Sequence, residues 1–490
     1  MKEMIILIPI FLPIIAGLVL RNIPSMKENR KIRDCYLMFF LTAELILVWA
    51  MMLKNGLAID LFTIVDDVKI RFCIDPLAMW FTGMVSVIWW VVGIYSLEYM
   101  KHAKKEQSYY TFYLISEGVL CGLIYAGNLV TLYMFYECMT LLTMPMVLHD
   151  RTRRSVAAAR KYMFYSIFGA SCALGGIILL YVNAPSIIFT PGGVFDEASF
   201  ALHPTMYLII AAVMIVGFCG KSGMFPLHSW LPTAHPLAPA PASAVLSGII
   251  TKMGVVAVIR TVFYIFGADF LRGTWVQIMW MILATITIFM GSMMAFLEPS
   301  MKRRFAYSTV SQVSYILLGL STMSLEGLTG SFLHVIFHSM AKIVLFLTAG
   351  VIIYYTGEKK VPNLSGIGKQ MPIVMVPFTV AAASLVGVPF FSGFISKEFL
   401  AHGTLEAGVP YLQYITPIVL LISATLTAGY LFPIVIDGFY PKNEKKVYTK
   451  INVDPKMWGS LIILAVLTIA IGVFPNPLSH FVEAFVELLL

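Results

Sequence analysis

Four lysines lie inside long apolar segments of this chain, at Lys221, Lys252, Lys342 and Lys397. A charged side chain near the centre of a bilayer costs about 2.5–3.5 kcal/mol on the most favourable scales. Amines at such depth can gain and lose protons, and a line of them could carry protons through an apolar layer. These residues therefore predict an ion-translocating membrane protein that moves protons.

The segment that contains Lys342 also contains His334 and His338, so three ionisable residues follow one another at intervals of four. On an α-helix each step of four residues rotates by only about 40°, so the three form one stripe about 12 Å long. Histidine titrates near neutral pH and can pass a proton through either ring nitrogen. The pattern favours a proton relay, although a buried histidine is also common as a packing residue.

Lys221 ends an apolar run, and Pro226 after it should break the seventh membrane helix. A break at membrane depth is tolerated where it faces protein or a wet cavity, so Lys221 could exchange protons with water there. Glu137, near the centre of the fifth span, is the expected partner of Lys221 and would form a coupled gate with it. The alternatives are a lysine that extends to the membrane interface and a static salt bridge.

Lys252 lies in the middle of the eighth apolar segment, where its side chain cannot reach the interface. Its alternative is a structural ion pair with a buried acid. Lys397 follows Pro389, which should break the twelfth segment, and its alternative is an interface pair with Glu398. Two broken helices at matching places in two halves are typical of inverted repeats in transporters.

The composition indicates an integral membrane protein: 59% of the 490 residues are hydrophobic and 12% are charged, against about 25% charged residues in soluble chains. A span needs about 20 mostly apolar residues. The first span, from Met4 to Leu20, lacks a small-residue cleavage site and is expected to be retained. The predicted fold class is an all-α membrane protein with about fourteen spans, at 4–20, 35–53, 76–97, 109–126, 128–148, 160–182, 205–225, 240–260, 275–297, 305–322, 328–355, 372–395, 411–436 and 458–475.

These spans predict a single polytopic membrane domain over residues 1–490. Its parts would be three N-terminal spans within 1–108, a first five-helix repeat at 109–260, a second inverted repeat at 275–436, and a C-terminal span within 458–490.

Loop charges predict the orientation. Of the 34 lysines and arginines, 24 fall in the odd-numbered loops, among them Lys302, and six fall on the other side, among them Arg260. Because basic loops stay in the cytoplasm, both termini should lie on the outer side of the cell membrane.

Redox and nucleotide chemistry are not indicated. The six cysteines are scattered without a CxxC pair, which argues against an iron–sulfur cluster, a zinc site or a disulfide framework. GxGxxG and P-loop patterns are absent from the sequence. The chain is therefore expected to carry no cofactor, no metal and no redox catalytic residue. Glu44 and Glu117 are further buried acids whose role stays open.

Several motifs together resemble one family. They are Asn128-Leu through Tyr136-Glu137, Pro226-Leu-His-Ser-Trp-Leu-Pro, Ala238-Pro-Ala-Pro-Ala-Ser-Ala followed by Lys252, Lys302-Arg-Arg-Phe-Ala-Tyr-Ser-Thr-Val-Ser-Gln, His334…His338…Lys342, and Gly387-Val-Pro-Phe-Phe-Ser-Gly-Phe-Ile-Ser-Lys397. With these motifs, roughly residues 70–435 resemble the antiporter-like subunits of respiratory complex I, of Mrp-type Na⁺/H⁺ antiporters and of membrane-bound energy-converting hydrogenases.

The resemblance implies fourteen helices in two inverted five-helix repeats, with helices seven and twelve broken. It implies ion-translocating roles for Glu137, Lys221, Lys252 and Lys397, and a connecting relay through His334, His338 and Lys342.

Three features qualify the resemblance. Thr233 stands where the family usually has aspartate, so His235 is assigned no role, and Tyr136 stands where tryptophan is common. Some members carry glutamate at the position of Lys397. The chain ends with Pro475–Leu490, without a long lateral helix, which favours a mid-sized type similar to the Mrp D subunit.

Two functions follow from the resemblance. The first is a proton-translocating subunit of a redox-driven complex, with iron–sulfur, flavin or NiFe cofactors on partner subunits and further antiporter-like subunits beside it. The alternative is a subunit of an Mrp-type Na⁺/H⁺ antiporter without a redox partner. Which complex, which ion, which driving reaction, and the stoichiometry and direction of transport lie outside the sequence.

Overall fold

A computed structural model describes residues 2–65, 68–103, 105–441 and 448–490. Four lysines of the loop-charge count, Lys104, Lys442, Lys445 and Lys446, lie outside the described residues.

The described chain is built from long helices and one short hairpin. The helices are α1 (Ile8–Asn22), α2 (Arg30–Met51), α3 (Pro76–Tyr99), α4 (Glu106–Ile124), α5 (Leu129–Val147), α6 (Arg153–Asn183), α7 (Pro204–Ser222), α8 (Ala240–Phe266), α9 (Trp275–Leu297), α10 (Met301–Thr322), α11 (Leu325–Thr356), α12 (Pro372–Val386), α13 (Ser392–Glu406), α14 (Leu412–Phe439), α15 (Pro455–Val473) and α16 (Asn476–Val486). Helical turns at Lys2–Leu7, Ser25–Glu28, Met52–Lys54, Met100–His102, Glu197–Leu202, Leu231–Ala234, Ala268–Leu271, Val361–Asn363 and Ile367–Gln370 connect them.

Eleven helices of the described chain are long and apolar enough to cross a membrane, which confirms the predicted all-α, multi-pass class. The three other predicted spans coincide with α4, α10 and α12. α12 is a shorter apolar helix of 15 residues, while α10 begins with Lys302 and two arginines. The count of fourteen spans and the inverted repeats therefore stay predictions.

The core lies around two helices. In the apolar part of α8, 100% of the residues are buried, and in that of α11 the buried share is 89%. In the apolar part of α2 only 28% of the residues are buried. α10 packs against α9 and α11, and α11 packs against α12 and α13. The two most enclosed spans are therefore the ones that carry Lys252 and the histidine stripe.

α7 and α12 each end at a glycine in the left-handed helical conformation. α7 ends at Gly223, which has φ +80°, and α12 ends at Gly387, which has φ +91°. Glycine takes this left-handed conformation without the steric penalty of a Cβ atom. Pro226 and Pro389 lie in the two interruptions, three and two residues after the helix has already ended.

α8 contains two π-helical turns, at Leu246–Ile250 and Val262–Phe266. A π-turn shifts the backbone hydrogen bonds by one residue and is frequent at functional sites. The first of these turns ends two residues before Lys252.

One antiparallel hairpin precedes α3. Strand β1 (Ala58–Val65) pairs with β2 (Val68–Cys73) in a register that sets Asp60 opposite Arg71. Arg71 also donates to the Asp60 carboxylate at 3.2 Å.

The structure corrects two loop assignments. Arg260 is fully buried in α8 and forms a bidentate ion pair with Asp75, the residue that caps α3. Lys302 is also buried, and its ammonium donates to the Ala238 carbonyl at 2.8 Å. Both charges have close polar partners inside the protein, so their burial is compensated and neither marks a solvated loop.

Candidate functional site

Lys221 lies in the last turn of α7 and is only 1% exposed. Its ammonium donates a hydrogen bond to the Thr140 hydroxyl of α5. The same ammonium lies 4.7 Å from the centre of the Tyr136 ring and 5.7 Å from that of Tyr162. A hydroxyl and two aromatic faces thus stabilise this cation inside the bundle.

Glu137 is half-buried on α5, three residues before Thr140 and therefore on a neighbouring part of the same helix surface. The charge of Lys221 acts on its carboxylate, but within the described residues no ion pair of 4 Å or less joins the two. The expected partnership is thus an electrostatic one across a gap, with Thr140 making the direct contact.

Lys252 is completely buried. Its ammonium donates to the Ser247 carbonyl of the π-turn at 2.7 Å, and the Thr251 hydroxyl donates to the same carbonyl at 2.8 Å. One hydroxyl links this region to α7, since Ser222, the residue after Lys221, donates to the Thr251 carbonyl at 3.0 Å. The π-turn therefore supplies the acceptor that this lysine needs.

The histidine stripe on α11 is present. The rings of His334 and His338 stack with their centres 5.8 Å apart and their planes at 17°. Nδ1 of His334 is 2.9 Å from the hydroxyl of Ser396 on α13. Both ring nitrogens of His338 lack a hydrogen-bond partner among the described residues. Along α11, His338 lies between His334 and Lys342, one helical turn from each.

Lys342 continues the stripe, but its side chain turns toward α10. The ammonium is 2.5 Å from the Ser308 hydroxyl and 3.3 Å from the Phe305 carbonyl. The Ser308 hydroxyl lies 2.5 Å from the Tyr430 hydroxyl of α14. Lys342 thus connects the histidines to a buried row of hydroxyl groups.

Lys397 lies on α13, after the interruption, and reaches back across it. Its ammonium donates to the carbonyls of Leu385 at 2.5 Å and Val386 at 2.9 Å, in the last turn of α12. The final carbonyls of a helix have no intrahelical donor and carry partial negative charge, so they suit a cation. The ammonium also lies 5.4 Å from the Tyr315 ring, which stacks on His334 at 5.6 Å.

The structure thus brings the predicted residues into two groups. Glu137 and Lys221 form one group between α5 and α7. The other contains Lys252, His338, Lys342, His334 and Lys397, between α8, α10, α11 and α13. The link between the groups is the contact of Ser222 with Thr251.

Several residues of the site were not predicted. Thr140, Ser308, Tyr315 and Ser396 contact the predicted lysines and histidines directly. Their roles could not be read from the sequence, because hydroxyl residues on apolar helices are common and their partners are distant in the chain. Two of them had a local signal, since Ser308 lies in the motif that begins at Lys302 and Ser396 directly precedes Lys397.

His235, to which the sequence assigned no role, is fully buried and stacks on Phe346 at 4.9 Å. Its two ring nitrogens have no hydrogen-bond partner in the described part of the chain. Close by, a cavity of about 350 Å³ is lined by His102, His149, Asp150, Pro236, Lys302 and Lys359, among others.

Across the described residues, no group of three or more His, Cys, Asp or Glu side chains could hold a metal ion. The six cysteines are free thiols.

Comparisons with known proteins agree with this architecture. Residues 126–427 match the family described as "NADH:quinone oxidoreductase/Mrp antiporter, TM", and residues 62–113 match "NADH-Ubiquinone oxidoreductase (complex I), chain 5 N-terminus". The chain is 33% identical over 377 residues to NADH-quinone oxidoreductase subunit N of Desulforudis audaxviator, covering 76% of this chain and 73% of that protein.

A second relative is Na⁺/H⁺ antiporter subunit A1 of Staphylococcus aureus strain JH9, with 30% identity over 430 residues. The match covers 83% of this chain and 53% of that protein, so the chain spans about half the length of this relative.

Solved structures share the fold. The Mrp complex from Dietzia sp. DQ12-45-1b has a chain with TM-score 0.88 and 21% identity, covering 100% of this chain and 98% of that one. The membrane-bound sulfane sulfur reductase, an archaeal respiratory membrane complex, gives TM-score 0.86 at 22% identity, covering 99% of each chain. A chain of respiratory complex I from Thermus thermophilus gives a TM-score of 0.81 at 20% identity, and the match covers 99% of this chain and 99% of that one.

A multi-pass helical bundle with a buried line of lysines and histidines defines a membrane protein of the antiporter-like class. The chain belongs to the NADH:quinone oxidoreductase/Mrp antiporter family, which confirms the resemblance found in its motifs.

Proposed function

We propose that this chain is a proton-translocating, antiporter-like membrane subunit of a multisubunit redox-driven ion pump, of the complex I-like or hydrogenase-like kind. One observation carries the proposal: within the described residues, each of the four lysines (three of them buried, Lys397 half-buried) donates to hydroxyl or carbonyl oxygens, and none lies within 4 Å of a carboxylate. A lysine in a salt bridge would leave an unpaired buried carboxylate on losing its proton, whereas these can become neutral amines without that penalty. The residues proposed to carry protons are Glu137, Lys221, Lys252, His334, His338, Lys342 and Lys397.

The arrangement supports transfer in both groups. Lys221 and Glu137 would load a proton beside the interruption after α7, where the backbone of Gly223 leaves the helix. In the second group, His338 and His334 would pass a proton between the central lysines and Lys397. Each imidazole accepts a proton at one nitrogen and releases one from the other.

The chain would work with other membrane subunits, including further antiporter-like ones. The solved structures that share its fold are multisubunit membrane complexes, which supports this proposal. Redox cofactors (iron–sulfur, flavin or NiFe) would belong to peripheral partner subunits.

A second candidate function is that of an Mrp-type Na⁺/H⁺ antiporter subunit without a redox partner. The relative named Na⁺/H⁺ antiporter subunit A1 and the TM-score of 0.88 with the Mrp complex favour it. Co-purification separates the candidates: iron–sulfur or hydrogenase-like partners support the first, and small antiporter subunits support the second.

The central test is ion pumping in vesicles made from membranes that contain the assembled complex. Lys221→Ala and Glu137→Ala should each reduce pumping almost to background, because each removes a proton carrier from the line. Lys54→Ala is the matched control, since that lysine is exposed at the end of α2 and its loss should leave pumping unchanged. Normal pumping by an assembled Lys221→Ala complex would remove this residue from the mechanism.

The ion is identified in the same vesicles. Proton pumping should be independent of sodium and should collapse with a protonophore. Transport that requires external Na⁺ and survives the protonophore would instead support the antiporter.

We further propose that the protein lies in the cell membrane with both termini on the outer side. Two contacts support a shared side: Glu3 and the hairpin residues Asp60 and Arg71 line one small cavity, and Phe481 of α16 stacks at 5.8 Å on Trp80, near the start of α3 beyond the hairpin.

Single cysteines in a cysteine-free background test this orientation. Lys54→Cys should react with an impermeant maleimide on intact cells, and Lys31→Cys only after lysis. The reverse pattern would invert the orientation.

A further inference from the structure

Two buried glutamates lie outside the line of lysines and histidines. Glu44 on α2 is 0% exposed and Glu117 on α4 is 1% exposed. The Cys121 thiol donates to Oε1 of Glu44 at 3.6 Å. Because Cys121 follows Glu117 by one helical turn, both lie on the face of α4 that Glu44 meets.

Within the part of the chain that the structure describes, no positive charge compensates these two carboxyl groups. Among the described residues, the polar group that acts on Glu44 is the Cys121 thiol, and the group that acts on Glu117 is Glu44 itself. Oε2 of Glu44 and both carboxyl oxygens of Glu117 have no hydrogen-bond partner in this described set. A buried carboxylate without a cation or donors is strongly disfavoured.

Two tyrosines of the α4 segment and apolar side chains of the neighbouring helices surround the two glutamates. Tyr125, one turn after Cys121, is buried, and its hydroxyl has no hydrogen-bond partner among the described residues. Tyr113, one turn before Glu117, lies within electrostatic range of that carboxyl. From α1, Ile10 and Ile14 pack against Gly118, and from α5, Phe135 packs against Gly122. Among the described residues around Glu44 and Glu117 there is no lysine, arginine or histidine side chain.

Two carboxylates that share a buried site cannot both be ionised, because their repulsion is strong in a medium of low polarity. We propose that Glu44 and Glu117 form a proton-binding carboxyl pair, which holds at least one proton at neutral pH and is separate from the line of lysines and histidines. The proton fits this site better than a metal cation, because a hard cation requires several oxygen ligands and a thiol occupies one side of Glu44.

The first test uses a hydrophobic carbodiimide, which reacts with protonated carboxyl groups inside membranes. In membranes that contain the native complex, mass spectrometry should find the adduct on Glu44 or Glu117 at neutral pH. The yield should fall as the pH rises and should not depend on sodium. Protection of both glutamates by Na⁺ at constant pH would overturn the proposal in favour of a metal-cation site.

Two single substitutions test whether the protonation of one carboxyl depends on the other. Glu117→Gln removes the like charge, so labelling of Glu44 should decline at a lower pH than in the wild type. Cys121→Ala removes only a weak donor and should leave both labelling sites in place. An unchanged pH dependence in Glu117→Gln would show that the carboxyls titrate independently and would contradict a shared site.

Infrared spectroscopy of the purified complex removes the dependence on reagent access. The double variant Glu44→Gln/Glu117→Gln should lose part of the absorption of protonated carboxyl groups at neutral pH. A spectrum equal to that of the wild type would mean that both groups are ionised, and the proposal would fail. Since neither glutamate belongs to the proposed line, this result is independent of the pumping assays on Lys221 and Glu137.

Discussion

The hydroxyl of Thr140 is the direct partner of Lys221, and it lies on the same helix as Glu137. A hydrogen bond to a charged group contributes about 1.5–3 kcal/mol. A hydroxyl accepts from the ammonium as a carboxylate does, but unlike a carboxylate it can also donate to the neutral amine. Thr140 is therefore suited to a lysine that changes protonation state.

Thr140→Val should slow proton pumping while the complex still assembles, since valine keeps the shape and removes the hydroxyl. Thr140→Ser retains the hydroxyl and should restore most of the rate. Pumping in vesicles measures both variants, and equal rates for valine and serine would assign Thr140 a packing role only.

The contact between His334 and Ser396 offers a second test at this scale. Ser396→Ala removes the group 2.9 Å from Nδ1 of His334, so the ring would lose its fixed orientation and tautomer. We expect slower pumping with a changed pH profile. Ser460→Ala provides a comparison, because it removes a buried hydroxyl of α15 that donates to the Val91 and Lys456 carbonyls and, among the described residues, to no residue of the stripe. The same pH profile in both variants would contradict a specific role for Ser396.

At the scale of elements, the interruptions of α7 and α12 place two lysines in different ways. Lys221 precedes the first interruption and points to α5, whereas Lys397 follows the second and returns to the open carbonyls of α12. The carbonyls at the end of α12 therefore bind the Lys397 ammonium directly. The end of α7 only positions Lys221, whose ammonium is bound by Thr140 of α5.

Gly387→Ala tests the end of α12. An alanine at φ +91° is strained by about 1–2 kcal/mol, and its Cβ would lie 3.1 Å from the Lys397 side chain. We expect lower thermal stability of the solubilised protein together with loss of pumping.

Gly459→Ala is the matched control for this substitution. Gly459 lies in α15, and a Cβ there meets no atom within 4 Å. Alanine in a helix is favoured over glycine by about 0.8–1 kcal/mol, so stability should be kept or raised. Normal pumping in Gly387→Ala would show that Lys397 does not need the α12 carbonyls.

For the whole molecule, the Arg260–Asp75 pair joins the buried helix α8 to the start of α3. Arg260 also lies over the rings of Phe189 and Tyr264, at 5.0 and 4.5 Å, and donates to the Ile124 carbonyl at 3.4 Å. One side chain thus connects α8 to α3, to the end of α4 and to the loop after α6.

Arg260→Ala should destabilise the protein severely, because removal of one partner of a buried pair costs about 3–5 kcal/mol. Arg303→Ala breaks an ion pair of a half-exposed arginine with Glu298 and should cost less than about 1 kcal/mol. Melting of the solubilised protein, followed by size-exclusion chromatography, compares the two. Similar losses in both variants would contradict the structural role of Arg260.

The sequence alone determined the membrane class, the all-α fold, the family and the burial of Lys221, Lys252 and the His334–His338–Lys342 stripe. It could do so because a charge in an apolar segment is costly and because four-residue spacing sets a face of a helix. Both properties are local, so neighbours in the chain reveal them.

Only the tertiary structure decided which atoms form hydrogen bonds with each ionisable side chain. Thr140, Ser396 and the α12 carbonyls meet their lysines and histidines across helix contacts that no local pattern encodes. The same reason explains the burial of Arg260 and Lys302, which loop counting placed at the surface. The energy of a buried charge depends on its partners in space, and those partners come from distant parts of the chain.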